Sequence, residues 1–290
     1  MFEYCILKPI FSGADFKNNI HGIYFLLITF SYVLIAAAGY IINDYFDLNI
    51  DLINKPDKVI ISKIISRRRA LLWHIILSAF AIGCSFYVDV KTGSKVAGLS
   101  ALACVILLFF YSTTLKKKFL IGNVLVSAIT AWSVIVLTLL EGTKFFMAEA
   151  RLGNLEIDKI FRLTVLYTGF AFIVSLIREV VKDMEDIEGD RKYGCKTMPI
   201  VWGINASKVF VAVWLIVLIS ILAMNQVYVM QFRWWISIIY AIILIIVPLL
   251  LIFKKLFGAK NAEDFHKLSS MLKIVMLTGI LSMAFFRIYQ

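Results

Sequence analysis

The chain has 290 residues, 61% of them apolar and only 17% charged, with a mean hydropathy of +0.88. Soluble domains run at roughly 45–50% apolar and about 25% charged, so a soluble fold is excluded. The net charge of +11 does not indicate nucleic acid here, because basic residues in a membrane protein answer first to topology and to lipid headgroups.

Residues 1–20 lack the charged start, apolar run and small-residue cleavage site of a secretory leader, and are expected to remain on the protein. Eight apolar segments follow, over 22–42, 70–88, 97–113, 119–140, 160–177, 209–224, 234–253 and 271–286. Each is close to the ~20 residues that cross a ~30 Å hydrocarbon core as a helix. They are continuous runs without dyad alternation, which rules out barrel strands. The expected fold class is all-α, a polytopic transmembrane helical bundle with eight spans. The first, third, fifth and seventh loops hold most of the Lys and Arg, and this assigns those loops to the cytoplasm and both chain ends to the outside. The four cysteines have no CxxC spacing and the three histidines are scattered, so neither a disulfide framework nor a zinc site is indicated. His74, inside a span, reads as a core histidine.

The informative quantity is where the acids sit. Of 19, four lie at 44–57 and six at 179–190, both within cytoplasmic loops. The first cluster contains Asn43, Asp44, Asp47 and Asp51 and continues the first apolar span without Gly or Pro, which predicts that the helix runs on into it. At about 100° per residue, Asn43, Asp47 and Asp51 share an arc of about 80°. In the second cluster Glu179, Asp183, Asp186 and Asp190 fall within about 60° on a continuous helix, while Glu185 and Glu188 point away.

Carboxylates stacked at helical spacing repel one another, more strongly at low dielectric, so something must neutralise them. Two oxygen-only stripes on one side of the membrane suit Mg²⁺, which takes one or two carboxylates and completes its octahedron with water and substrate phosphate. A phosphate-bearing substrate is implied. Lys55, Lys58, Lys116, Lys117, Arg178 and Lys182, in the same loops, are candidates to hold the remaining phosphate charge. The bland reading is a solvated helix end, with Lys182 and Asp186 as an i,i+4 pair. Two matched stripes at a membrane edge argue against it, since ionisable groups there are functional by default. A transporter of cations or phosphate compounds is the non-enzyme alternative, and it predicts broken helices at the bilayer midplane. The clusters follow spans one and five, which suggests two units of four spans related as a repeat.

At these residues the sequence resembles the UbiA superfamily of intramembrane prenyltransferases. Its two signatures match Asn43-x-x-x-Asp47-x-x-x-Asp51 and Asp183-x-x-Asp186-x-x-x-Asp190. The flanks agree: Asn54-Lys55-Pro56-Asp57-Lys58, Tyr111 to Lys117 with Ile121-Gly122-Asn123, and Gly189-Asp190-Arg191 through Gly194 to Lys196-Thr197 and Pro199. The stretch from Arg178 to Pro199 is most similar to the geranylgeranylglyceryl-phosphate geranylgeranyltransferase type. The resemblance implies two four-helix units around a central cavity, capped by both motifs on the cytoplasmic side of a prokaryotic inner membrane. It implies Asn43, Asp47, Asp51, Asp183, Asp186 and Asp190 as catalytic Mg²⁺ ligands. Lys55, Lys58, Tyr111, Lys116, Lys117, Arg178 and Lys182 are implied as contacts of a polyprenyl diphosphate. Members usually have nine helices, and the leading span with its Arg-Pro-x-Asn-like element is matched here only by Met1–Ile10. The expectation is one domain over 1–290 that lacks the family's first helix.

The chemistry implied is magnesium-dependent prenyl transfer. Cleavage of an allylic diphosphate leaves a delocalised carbocation, so the main task is to stabilise negative charge on the departing group. Tyr45, Phe46 and Tyr111 are candidates to shelter the cation by cation–π attraction. The expected acceptor is a small molecule or lipid precursor carrying a hydroxyl, with an aromatic, quinone or chlorophyllide-type acceptor as the alternative.

Overall fold

The structure, a computed structural model, describes residues 1–13, 22–148 and 154–289, with side chains over 1–10, 22–141 and 158–289. Among the described residues, eight helices are long and apolar enough to cross a membrane, one for each predicted segment. They are α1 (Ile23–Asn54), α2 (Arg67–Thr92), α3 (Val96–Thr113), α4 (Ile121–Ala148), α5 (Asn154–Glu185), α6 (Ile204–Met230), α7 (Trp235–Gly258) and α8 (Ala262–Leu281). Among the described residues there is no strand, only an isolated bridge between Ile61 and Ile65. The chain divides into two compact units of four spans each. Lys17–Ile157 with Glu188–Thr197 carries α1–α4, and Met1–Phe16 with Asp158–Ile187 and Met198–Gln290 carries α5–α8.

In the first unit, lipid-like surroundings give helices little hydrophobic reason to associate, so close backbone approach and interhelical hydrogen bonds do the joining. Ser31 Oγ donates to the Ala81 carbonyl at 2.8 Å and lies 2.7 Å from Ser85 Oγ, tying α1 to α2. His74, buried in α2, donates from Nδ1 to the Ala38 carbonyl at 3.0 Å and stacks on Phe109. The Tyr32 hydroxyl and the Trp132 indole both meet Ser100 Oγ, joining α1, α3 and α4. The α2–α3 turn is closed from inside. Gly93 takes the left-handed conformation (φ 73°) that ends α2, and buried Asp89 accepts the N–H groups of Ala97 and Gly98 at 3.1 and 2.7 Å. A carboxylate on the first N–H groups of α3 satisfies orphan donors and meets the positive end of the helix dipole. Asp89→Ala is expected to cost about 2 kcal/mol of stability and Asp89→Asn about half of that, read as the unfolding midpoint in detergent. An unchanged midpoint for Asp89→Ala would contradict this role.

In the second unit α7 contains Pro248, which has no N–H for the Leu244 carbonyl four residues back. The helix widens to a π-turn over Ile242–Ile246, and Thr278 Oγ1 from α8 donates to that carbonyl at 2.9 Å. This is the re-satisfaction that a proline inside an apolar span requires. At the other end of α7, buried Lys208 of α6 donates to the carbonyls of Ala259 (2.5 Å) and Phe257 (3.4 Å), a cationic cap on a helix C-terminus. Residues Glu3–Gly13 are helical and belong to this unit. Phe2, Ile6 and Leu7 are buried, with the Phe2 ring edge-on to Tyr167. Trp234, Phe286 and Tyr289 form an aromatic cluster beside Arg233 and Arg287, the composition expected at headgroup depth.

Candidate active site

The helix predicted to run on from the first span does so: α1 continues unbroken to Asn54. Asn43, Asp47 and Asp51 are half-buried along one side, while Asp44 is exposed. Opposite them lies the short turn Leu115–Lys117 between α3 and α4. Lys116 Nζ donates to the Asp47 carboxylate and, at 3.3 Å, to Asn43 Oδ1. One cation therefore sits against two oxygens a helical turn apart, in the place where the stripe was expected to gather positive charge. The backbone that carries Lys116 is pressed against the start of α4. A Cβ on Gly122 would lie 2.6 Å from Lys116 Cα, which accounts for the glycine in Ile121-Gly122-Asn123.

The second cluster departs from the sequence expectation. Periodicity placed Glu179, Asp183, Asp186 and Asp190 on one continuous helix, but α5 ends at Glu185, the chain bends at Asp186, and a separate short helix spans Ile187–Lys192. The cause lies in the backbone. In a continuous helix the Gly189 N–H would bond to the Glu185 carbonyl; instead it donates to Asn54 Oδ1 at 2.8 Å. Asn54 thus caps the short helix from the end of α1. Asp190 belongs to the first unit, whereas Asp183 and Asp186 belong to the second. The approach is so close that a Cβ on Gly189 would fall 2.6 Å from Asn54 Nδ2 and 2.7 Å from Oδ1. Further along the same segment, the Lys196 N–H donates to the Lys117 carbonyl at 2.8 Å. Within the first unit, then, the end of the second motif is bonded both to the end of the first and to the loop that carries Lys116 and Lys117.

On α5 itself, Arg178 pairs with buried Glu179 at 2.5 Å. Lys182 stands in the electrostatic field of Glu179, Asp186 and Asp183. Glu185 faces α8, where His266 Nδ1 lies 2.9 Å from its Oε1. Of the other predicted contacts, Lys58 and Lys117 are exposed, Lys55 and Tyr111 are half-buried, and the Lys55 N–H closes α1 on the Asp51 carbonyl. One face of the Tyr45 ring is already taken by a cation, the guanidinium of Arg67, at 4.8 Å. Phe46 packs edge-on against Tyr45 and Phe109.

Among the described residues, no group of three or more His, Cys, Asp or Glu side chains stands at metal-holding distance. Mg²⁺ is usually held by one or two carboxylates, with water and substrate phosphate filling its octahedron. The donors fit such an ion. Asn43 and Asp47 already direct two oxygens at one cation, the Lys116 ammonium. Sequence reasoning missed Asn54 and His266 as site residues. A glycine inside an acid-rich helix was the available signal for the first; the second had none.

Three comparisons bear on what this arrangement is. Residues 12–277 match the UbiA prenyltransferase family. A digeranylgeranylglyceryl phosphate synthase of Methanosphaera stadtmanae is 34% identical over 251 residues, covering 86% of this chain and 82% of the relative. Among solved structures, a UbiA homologue from Aeropyrum pernix superposes with a TM-score of 0.64 at 15% identity over 98% of this chain and 99% of its own. A UbiA homologue from Archaeoglobus fulgidus, bound to DMAPP and Mg²⁺, gives 0.55 at 17% identity over 97% and 95%. With the family match running from before the first acidic stripe to the last apolar helix, the chain belongs to the UbiA prenyltransferase family and is an integral membrane prenyltransferase.

Proposed function

We propose that the two aspartate motifs act together on the diphosphate of one polyprenyl donor through Mg²⁺, and that the acceptor is a glyceryl phosphate lipid precursor. The observation that carries the reading is the bond from Gly189 to Asn54, which fastens the end of the second motif to the end of the first. Asn43, Asp47, Asp51, Asp183, Asp186 and Asp190 supply the metal-binding oxygens, and bound Mg²⁺ would neutralise the charge that builds on the departing diphosphate. Lys116 leaves Asn43 and Asp47 for the phosphate oxygens when the donor arrives. Lys55, Lys58, Tyr111, Lys117, Arg178 and Lys182 add donors and positive charge around it. The bond from the allylic carbon to the diphosphate oxygen breaks, its electron pair leaving with the diphosphate, and the acceptor hydroxyl forms a new C–O bond there and gives up its proton to water or to the departing diphosphate. The whole of 1–290 serves this one reaction in a prokaryotic cell membrane, and the excess of Lys and Arg in the loops that follow the motif-bearing spans supports a cytoplasmic side for both motifs.

Two resemblances support the donor and acceptor. The Archaeoglobus fulgidus homologue binds DMAPP and Mg²⁺, and the Methanosphaera stadtmanae relative is a digeranylgeranylglyceryl phosphate synthase. The test is purified protein with radiolabelled geranylgeranyl diphosphate, Mg²⁺ and, in parallel, geranylgeranylglyceryl phosphate or hydroxybenzoate. The expected product is the doubly prenylated glyceryl phosphate, absent when EDTA is added. Transfer to the aromatic ring alone would overturn the acceptor, and transfer that persists in EDTA would overturn the role of the metal.

A further inference from the structure

We infer that His266, on the first turns of α8, is a positioning residue for the second aspartate motif, acting through its contact with Glu185; the inference rests on the reading that Asp183 and Asp186 hold the diphosphate's metal. The last α-type bond of α5 runs from the Asp186 N–H to the Lys182 carbonyl at 2.9 Å, and the chain bends at that point. No continuing helix therefore sets the direction of the turn that carries Asp183 and Asp186. Glu185 lies between them in sequence and on the far side of the helix, by about 130° from their midline at 100° per residue. Its carboxylate does not join theirs. Only 8% of its side chain is exposed, and it meets the His266 ring at 2.9 Å.

The element that carries His266 is a firm mount. Asn261 and Asp264 form a reciprocal capping box at the start of α8, Asp264 also accepts the Lys260 N–H at 3.0 Å, and the neighbouring Phe265 ring is fully buried. Charged neighbours are engaged elsewhere: Lys267, on the same turn, pairs with Glu263 at 2.8 Å, and Lys208 of α6 caps α7 with its ammonium 5.7 Å from the Phe265 ring. A bond from a rigid helix to the back of the metal-bearing turn holds the carboxylates on its front at one azimuth. Partners outside the ligand shell act in this way on metal ligands, and their loss commonly costs tenfold or more in metal affinity.

The test measures Mg²⁺ affinity by calorimetry in the presence of inorganic diphosphate, together with donor and acceptor KM, for full-length His266→Ala, His266→Gln, Glu185→Ala, the double variant His266→Ala/Glu185→Ala, and Asp186→Asn. His266→Ala is expected to weaken Mg²⁺ binding about tenfold and to raise the donor KM with the acceptor KM unchanged. His266→Gln, which keeps a side-chain N–H, restores most of the affinity. Glu185→Ala matches His266→Ala, and the double variant is no worse than either single one. Wild-type Mg²⁺ affinity in His266→Ala, no rescue by glutamine, or additive losses in the double variant would each overturn the inference. If Asp186→Asn also keeps full affinity, the assignment of the motif itself fails and takes this inference with it. If Asp186→Asn loses binding while His266→Ala does not, only the role of His266 falls.

Discussion

Asp47→Asn and Asp186→Asn should each slow prenyl transfer by about 10²–10³-fold, the size of effect seen when one electrostatic stabiliser of a developing anion is removed. The substitutions keep shape and hydrogen-bonding capacity and delete only charge. At position 47 the asparagine can still accept from Lys116, so the loop between α3 and α4 keeps its anchor. The two losses should not add: once one motif no longer holds its share of the diphosphate, further damage to the other has less left to remove. Single-turnover transfer of a radiolabelled prenyl group, with folding followed by the unfolding midpoint, is the measurement. Full activity in either variant would remove that aspartate from the chemistry, and strictly multiplicative losses would mean that the motifs act on separate groups.

Gly189→Ala should be nearly as damaging without touching a charged group. The added methyl would lie 2.6–2.8 Å from the Nδ2, Oδ1 and Cγ atoms of Asn54, so the short helix or the end of α1 has to move and the 2.8 Å bond is lost. A displacement of about 1 Å in groups that position a substrate can cost about 10²-fold in rate. Asn54→Ala alone removes the cap and should cost about 1 kcal/mol of stability, with a smaller loss of rate. The distinguishing result is the double variant: trimming Asn54 makes room for the methyl, so Gly189→Ala/Asn54→Ala should be more active than Gly189→Ala. If Asn54→Ala instead worsens Gly189→Ala, close packing at this point is not what the glycine is for.

The spans were legible because composition and length alone decide them in a membrane protein; each of the eight predicted segments lies on a helix of the structure. The extension of α1 through Asp47 and Asp51 was legible for a related reason, since nothing between Ile42 and Asn54 interrupts a helix. The break at Asp186 was not. Periodicity describes side-chain phase and is blind to a backbone N–H captured by a residue far away in sequence, as Gly189 is by Asn54. The partners of Lys116 and His266 were hidden for the same reason. Lys116 read as a phosphate contact with no sign of its bond to Asp47, and His266 as one of three scattered histidines, until the turn after α3 and the start of α8 bring them to Asp47 and Glu185. Tyr45 has a partner that its sequence position did not announce. Its position beside the first motif suggested a role for its ring, and Arg67 lies over one face of it. Residue type and spacing thus suggest the chemistry of the candidate site, while its anchoring comes from long-range contacts that no local pattern encodes.

The most direct measurement is calorimetric titration of geranylgeranyl S-thiolodiphosphate, an unreactive donor analogue, into the detergent-solubilised full-length protein with and without Mg²⁺, for wild type, Asp47→Asn and Asp186→Asn. If both motifs serve one magnesium diphosphate, wild-type binding requires Mg²⁺, and either single substitution weakens it by about tenfold or more, for a loss of at least about 1.4 kcal/mol. Wild-type affinity in either variant, or binding indifferent to Mg²⁺, would contradict a shared diphosphate site.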